Sequence, residues 1–426
     1  MKRIAMLAAA LTASVAMADK QIVATFQLAN VDKVAQSAAK VLEMSGIGGI
    51  GPMLVAQLPQ SDITNFCGTS RMVFVAEGEN ANPFALGRGF APGQPALPEN
   101  VLARFELTTA AAPFLERLVA AAQKDGNISA ADAKKFNELI KGLQGARIDV
   151  SMNDAGIEIY AVARGSEGSK LLEFCGGTLD ASPLAFAEGA PAVALAGSCK
   201  YGMDAAEAIN KLLAIFARNG APAIDFLKAS TKNGASRIDF DPKAFVAHMT
   251  SDKTGEAMAK LDISKLKKEI EDFKAGLGEA KPGEKSRAAL YIAGDTSKES
   301  AQDAFARILP EASGVKCTSA GVVKAYAVAK SLIAAFAGNP AMDANGIFAK
   351  LVPALPPVEN SGIGVMMWKE GCEAKFRARI STAEIRGIGS SIAVSLASKA
   401  AAGGAIQNAA IIEDDDDDED DEDDDD

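Results

Sequence analysis

A single histidine, His248, stands among 426 residues, and its isolation excludes whole classes of chemistry. Histidine is the usual general base near neutral pH and the commonest metal-binding side chain. A multi-histidine zinc centre is therefore impossible, and a serine–histidine–acid triad has one possible base. Phe245–Met249 reads as a strand, which makes His248 a structural residue. Aromatic residues are also scarce, at 6% against 48% apolar residues, so the core must be built from Ala, Val, Leu and Ile. Long apolar runs are missing beyond the leader. The longest weakly polar stretch, 388–412, is interrupted by Ser390, Ser391, Lys399, Gln407 and Asn408. A membrane span needs about 20 predominantly apolar residues, so this stretch reads as a packed C-terminal helix, with no transmembrane span after signal cleavage.

Cysteine is present in an odd number: Cys67, Cys175, Cys199, Cys317 and Cys372. At most two bridges can form, and spacing does not give their connectivity. Cys67 with Cys175 is the preferred first pair, because both sit in Phe-Cys-Gly. Cys199 with Cys317 is the second, because both lie on expected strands. Five small buried hydrophobes are the alternative.

The two ends are more explicit. Lys2 and Arg3 precede an apolar stretch from Ile4 to Ala16, and Ala16-Met17-Ala18 has the small residues of a cleavage site. This pattern predicts a bacterial secretory signal over 1–18 and a secreted or periplasmic product. At the other end Glu413 to Asp426 are all acidic, fourteen residues in succession. Without tail and leader the chain carries 42 basic and 41 acidic residues, so the folded part is close to neutral. A run of like charges repels itself and buries nothing, which predicts a solvated, disordered appendage. It repels phosphate, so nucleic acid is excluded as a partner. Weak binding of a divalent cation such as calcium at Asp414, Asp415, Asp416, Asp417 and Asp418 is the one metal expectation, since a flexible chain loses entropy on forming a cage of 6 to 8 oxygens.

Between the ends one pattern recurs: strand, amphipathic helix, antiparallel hairpin. Val101–Leu107 reads as a strand, Ala112–Gln123 as a helix, and Arg147–Met152 with Ile157–Ala163 as a hairpin around Asn153-Asp154-Ala155-Gly156. Ala192–Ser198 with the helix Ala205–Ala217 begins another unit. Arg287–Ala293 with the helix 298–309 and a strand pair over Val315–Ala329 gives a further one. Ile22–Leu28, a helix over Val31–Met44 and Arg71–Ala76 form a first, less regular copy. Gly362–Trp368 and Glu373–Ile380 form a last hairpin. The wording of 155–164 partly repeats at 320–330. The expected class is α+β: duplicated units with helices on one face of antiparallel sheets. Residues 19–188 are taken as a first domain and 189–412 as a second, joined through Gly176–Pro191. Gly78–Asn100, rich in Gly and Pro, reads as a long surface loop and a candidate contact element.

No catalytic or cofactor motif survives inspection. Gly46–Pro52 has the composition of a phosphate loop but follows a helix instead of opening one. Gln123–Ser129 fails as a calcium loop, because the required glycine and acid would fall on Ile128 and Lys134; Ser129 and Asp132 suit a helix cap better. Ser37-Ala38-Ala39-Lys40 and Lys253-Thr254-Gly255 match two of three short signatures of serine β-lactamases, yet Ser37 falls in mid-helix and Ser313–Lys316 repeats the spacing. The expected function is a non-enzymatic protein, without cofactor, that binds an unknown protein or envelope component or builds a surface or envelope structure. A carboxylate-based periplasmic hydrolase and a carrier of apolar ligands are the alternatives. A shallow apolar patch would favour the first, a deep pocket with convergent acids the second, and a dry tunnel the third.

Overall fold

A computed structural model describes residues 21–29, 31–45, 70–76, 86–92, 97–176, 178–198, 202–259, 261–278, 284–293, 298–344 and 346–394. The leader, Gly46–Pro52, Cys67, Cys199 and the acidic tail with Asp414–Asp418 lie outside the described residues. The chain is mixed α+β, built on a large, mostly antiparallel sheet. Its strands are β1 (Gln21–Leu28), β2 (Ser70–Ala76), β3 (Leu86–Pro92), β4 (Val101–Leu107), β5 (Leu143–Asn153), β6 (Gly156–Gly165), β7 (Val193–Ser198), β8 (Leu227–Lys232), β9 (Ala235–Phe240), β10 (Lys285–Ile292), β11 (Ser319–Val323), β12 (Ile363–Glu370) and β13 (Glu373–Ser381). They form one sheet in the order β3-β2-β1-β4-β5-β6-β13-β12-β11-β7-β10-β9-β8. Among the described residues the β9–β10 pair alone is parallel. Segments distant in the sequence meet in its middle, where β6 pairs with β13 from Gly156↔Ser381 to Arg164↔Glu373. That register depends on Gly156, where a Cβ would lie 1.8 Å from the Ile380 carbonyl oxygen.

The Asn153–Gly156 turn closes β5 and β6 as the sequence predicts, with Asn153 Oδ1 accepting from the Ala155 N–H at 2.9 Å. Ser129 caps the helix Ala130–Ile140 by accepting from the Asp132 N–H.

Other expectations are corrected. There is one sheet among the described residues, and helices lie on both of its faces. The helix Ala301–Ile308 packs on the side of Ala194, Ala196, Ala320, Val322 and Met366, while Leu172 of the helix Lys170–Phe174 packs on Ala374 of the opposite side. Gly78–Asn100 is not loop throughout, because it contains β3, an edge strand where Gly and Pro are tolerated. His248 lies on a helix, Pro242–Met249, because Asp241 accepts from the Lys243 and Ala244 N–H groups and Pro242 occupies the first turn. Val315–Ala329 is not a strand pair: β11 ends at Val323, and Ala325–Ala337 is helical.

Candidate functional site

Successive residues of a strand point to opposite faces, and directly paired residues share a face. The register therefore lays out each face of the sheet in rows. On one face the row Arg104–Asp149–Tyr160–Arg377–Met366–Ala320–Ala196 changes from charged to small and apolar. The apolar part is sealed by Phe305, Ile308 and Leu309. The charged part is tied up in ion pairs. Arg104 donates to both oxygens of Asp149 at 2.7 and 3.0 Å. Arg379 is buried; it donates to Glu158, to Glu311 at 2.7 Å and to the Ile308 carbonyl at 3.0 Å. Burial opposes its charge, but the bonds to Glu311 and Glu158 outweigh burial and hold Arg379 above its ordinary value. Arg377 stacks 5.0 Å from the Tyr160 ring centre, and Tyr160 stands 6.3 Å from Trp368.

The opposite face is apolar across the middle of the sheet. One row reads Ala103–Val150–Ile159–Ala378–Val365–Gly321–Leu195–Ala288. A second reads Phe105–Ile148–Ala161–Phe376–Met367. Leu172 and Cys175 cover its upper margin at Ala163 and Ala374. The strip below stays open, with Ile148 40%, Ile159 38%, Phe376 38% and Leu195 45% exposed. Gly321 sits under Leu195 and Val365, whose side chains come within 2.5 and 3.0 Å of where its Cβ would be. Large exposed apolar residues scattered singly are ordinary; contiguous ones mark interaction surfaces.

Two other places test the alternative chemistry. A cavity of about 530 Å³ opens on the charged side, lined among others by Glu106, Arg147, Tyr160, Arg164, Glu373 and Lys375. A hydrolytic general acid must be held above the ordinary carboxyl range. Glu373 is held below it, chiefly by the hydrogen bond from Arg164, with Lys375 adding to the effect against burial. Glu384 is raised by burial, opposed by the Tyr326 N–H. It is fully buried, and its Oε1 accepts from that N–H at 2.7 Å, at the start of the helix Ala325–Ala337. The acid of one helix thus caps another. Tyr326, pushed up to about 12 by burial and then by Glu384, donates from its hydroxyl to the Pro356 carbonyl. Its ring fits because Gly387 has no side chain, a Cβ there falling 2.2 Å from the ring.

His248 joins an aromatic cluster, 5.2 Å from the Phe226 ring. Ser37 and Lys253 lie on separate helices, Val31–Met44 and Asp252–Ala259. Cys175 and Cys317 are buried free thiols and Cys372 an exposed one; their proposed partners Cys67 and Cys199 are outside the described residues. Burial pushes the Cys175 and Cys317 thiols up. Among the described residues, no group of three or more His, Cys, Asp or Glu could hold a metal ion, and no helix is long and apolar enough to cross a membrane. Sequence reasoning missed the apolar strip, although the alternation in β5, β6 and β13 was there to be read. No family model, curated protein or solved structure matches the chain.

Proposed function

We propose that this chain is a non-enzymatic binding protein, secreted or periplasmic, that docks a protein or envelope component on the apolar face of its sheet. The observation that carries the reading is the open strip of Ile148, Ile159, Phe376 and Leu195, continuous through paired strands from β5 to β7. Desolvating such a strip supplies about 25 cal/mol per Å² of apolar area. Affinity capture from the native envelope tests it, with the chain and its Ile159→Asp/Phe376→Asp variant at equal folded concentration. A component retained by the first and lost by the second is expected, and identical capture would overturn the reading. N-terminal sequencing of the exported protein is expected to start at Asp19.

Duplication belongs to the same proposal. Strands β1, β4, β5 and β6 stand side by side, as do β7, β11, β12 and β13, each neighbour antiparallel. Helices intervene after β4 and after β11 in both sets. This order supports two related halves, residues 19–188 and 189–412. Superposing the two four-strand sets in an experimental structure should match them in register; a mismatch of strand direction or register would refute it.

A further inference from the structure

We propose that the charged face of the sheet binds a free α-amino acid with an apolar side chain, its carboxylate on Arg147 and its ammonium on Glu106, in the cavity of about 530 Å³ that both residues line. The site lies on the face opposite the apolar strip and does not rest on the docking reading.

Directly paired residues of neighbouring strands share a face, with Cβ atoms about 5 Å apart. One row across the sheet therefore reads Thr25–Glu106–Arg147–Val162–Lys375–Trp368. Glu106 and Arg147 stand side by side with opposite charges, and such neighbours ordinarily attract and pair. These two do not. Arg147 approaches Asp149 instead, at 3.4 Å, but both oxygens of Asp149 already accept from Arg104. Arg147 Nε is left buried without a hydrogen bond. Glu106 acts on Arg104 only through space, and joins no ion pair or hydrogen bond among the described residues.

The other charges around the cavity are committed. Arg164 donates to Glu373 at 3.0 Å, while Lys375 donates to Glu370 at 2.6 Å and lies 3.3 Å from Glu373. One cation and one anion, adjacent and unbridged, remain for a ligand. A lone anion on Arg147 meets the repulsion of Glu106, and a lone cation on Glu106 meets that of Arg147. A zwitterion with both charges on one carbon satisfies both: its carboxylate matches the planar guanidinium fork, and its ammonium gives donors to Glu106. Val162 forms the floor between Arg147 and Lys375, with Tyr160 two residues along the same strand and face. The ligand's side chain thus meets an aliphatic and aromatic surface, which selects an apolar one. The volume falls within the roughly 300–1,000 Å³ of small-molecule sites.

Isothermal titration of the full chain with L-leucine tests this. A second readout is built in, because Trp368 is the chain's one tryptophan, pairs directly with Lys375 and stands 6.3 Å from Tyr160. Expected are saturable heat, a parallel change in Trp368 emission, and affinity lowered at least about tenfold in Arg147→Met and in Glu106→Gln, the scale of a hydrogen bond to a charged group. Isocaproate, which is leucine without its ammonium, and isoamylamine, which is leucine without its carboxylate, should each bind at least about tenfold more weakly. No saturable heat with L-leucine, L-valine or L-phenylalanine would overturn the proposal. So would equal affinity for isocaproate or isoamylamine, or leucine binding that both variants retain. Should either variant lose its fold by circular dichroism, the two truncated ligands on the parent chain decide the question.

Discussion

Along β6 the faces alternate residue by residue: Glu158, Tyr160 and Val162 point one way, Ile157, Ile159 and Ala161 the other. An antiparallel sheet ordinarily turns its polar side to water and its apolar side to the core. Here the polar side is consumed internally. Arg104 with Asp149, and Arg379 with Glu158 and Glu311, neutralise one another, and a helix seals the apolar part of that face. The apolar side keeps large residues in solvent. Charges on one side of this sheet thus serve cohesion, while the apolar side carries the face proposed for docking.

The comparison breaks first at Arg379. Arg379→Ala leaves Glu158 and Glu311 without their buried partner, and a loss of about 3–5 kcal/mol is expected by denaturant unfolding. A loss below about 1 kcal/mol would mean that the ion pairs do not hold the polar face. Next come two phenylalanines on opposite faces. Phe305, 3% exposed, should cost about 3–5 kcal/mol on conversion to alanine. Phe376 should cost roughly half as much, because part of its surface already meets water; equal costs would show that the strip is buried.

Glu384→Gln sharpens the contrast through pH. Its folded carboxyl is held above the unfolded value by burial, so the folded state binds the extra proton. The stabilisation is present below the ordinary carboxyl range and is lost as pH rises through the raised folded value. Gln keeps the acceptor for the Tyr326 N–H, so the variant should lose this decline and be at least as stable as the parent at neutral pH. An unchanged pH profile of unfolding would contradict it. The smallest effect is expected at Arg164→Ala. This exposed pair with Glu373 at 3.0 Å should change stability by under about 1 kcal/mol.

Much of the fold was legible because its strands alternate and its turns use Asn, Asp and Gly. Val101–Leu107, the hairpin around Asn153–Gly156 and Ala205–Arg218 need only local rules. One hairpin left unread and one misread helix ignored signals that were present. Asn233-Gly234, at φ 52° and 71°, closes the hairpin β8–β9, and Asp241-Pro242 opens the helix of His248. A third had no local cure. Residues 325–329 are a short apolar run that suits a buried strand as well as a helix, and the carboxylate that caps them as a helix, Glu384, is 58 residues from Tyr326. The apolar strip was legible only in part: alternation gives each strand two faces, but only the pairing of β6 with β13 places Ile159 beside Ala378 and Ala161 beside Phe376.

Hydroxyl-radical footprinting of the chain ending at Val394 compares the two faces directly. Phe376 and Ile159 should be oxidised many times faster than Phe305 and Ile308. Equal protection of all four would contradict an open apolar face, and with it the account of this protein as a docking surface.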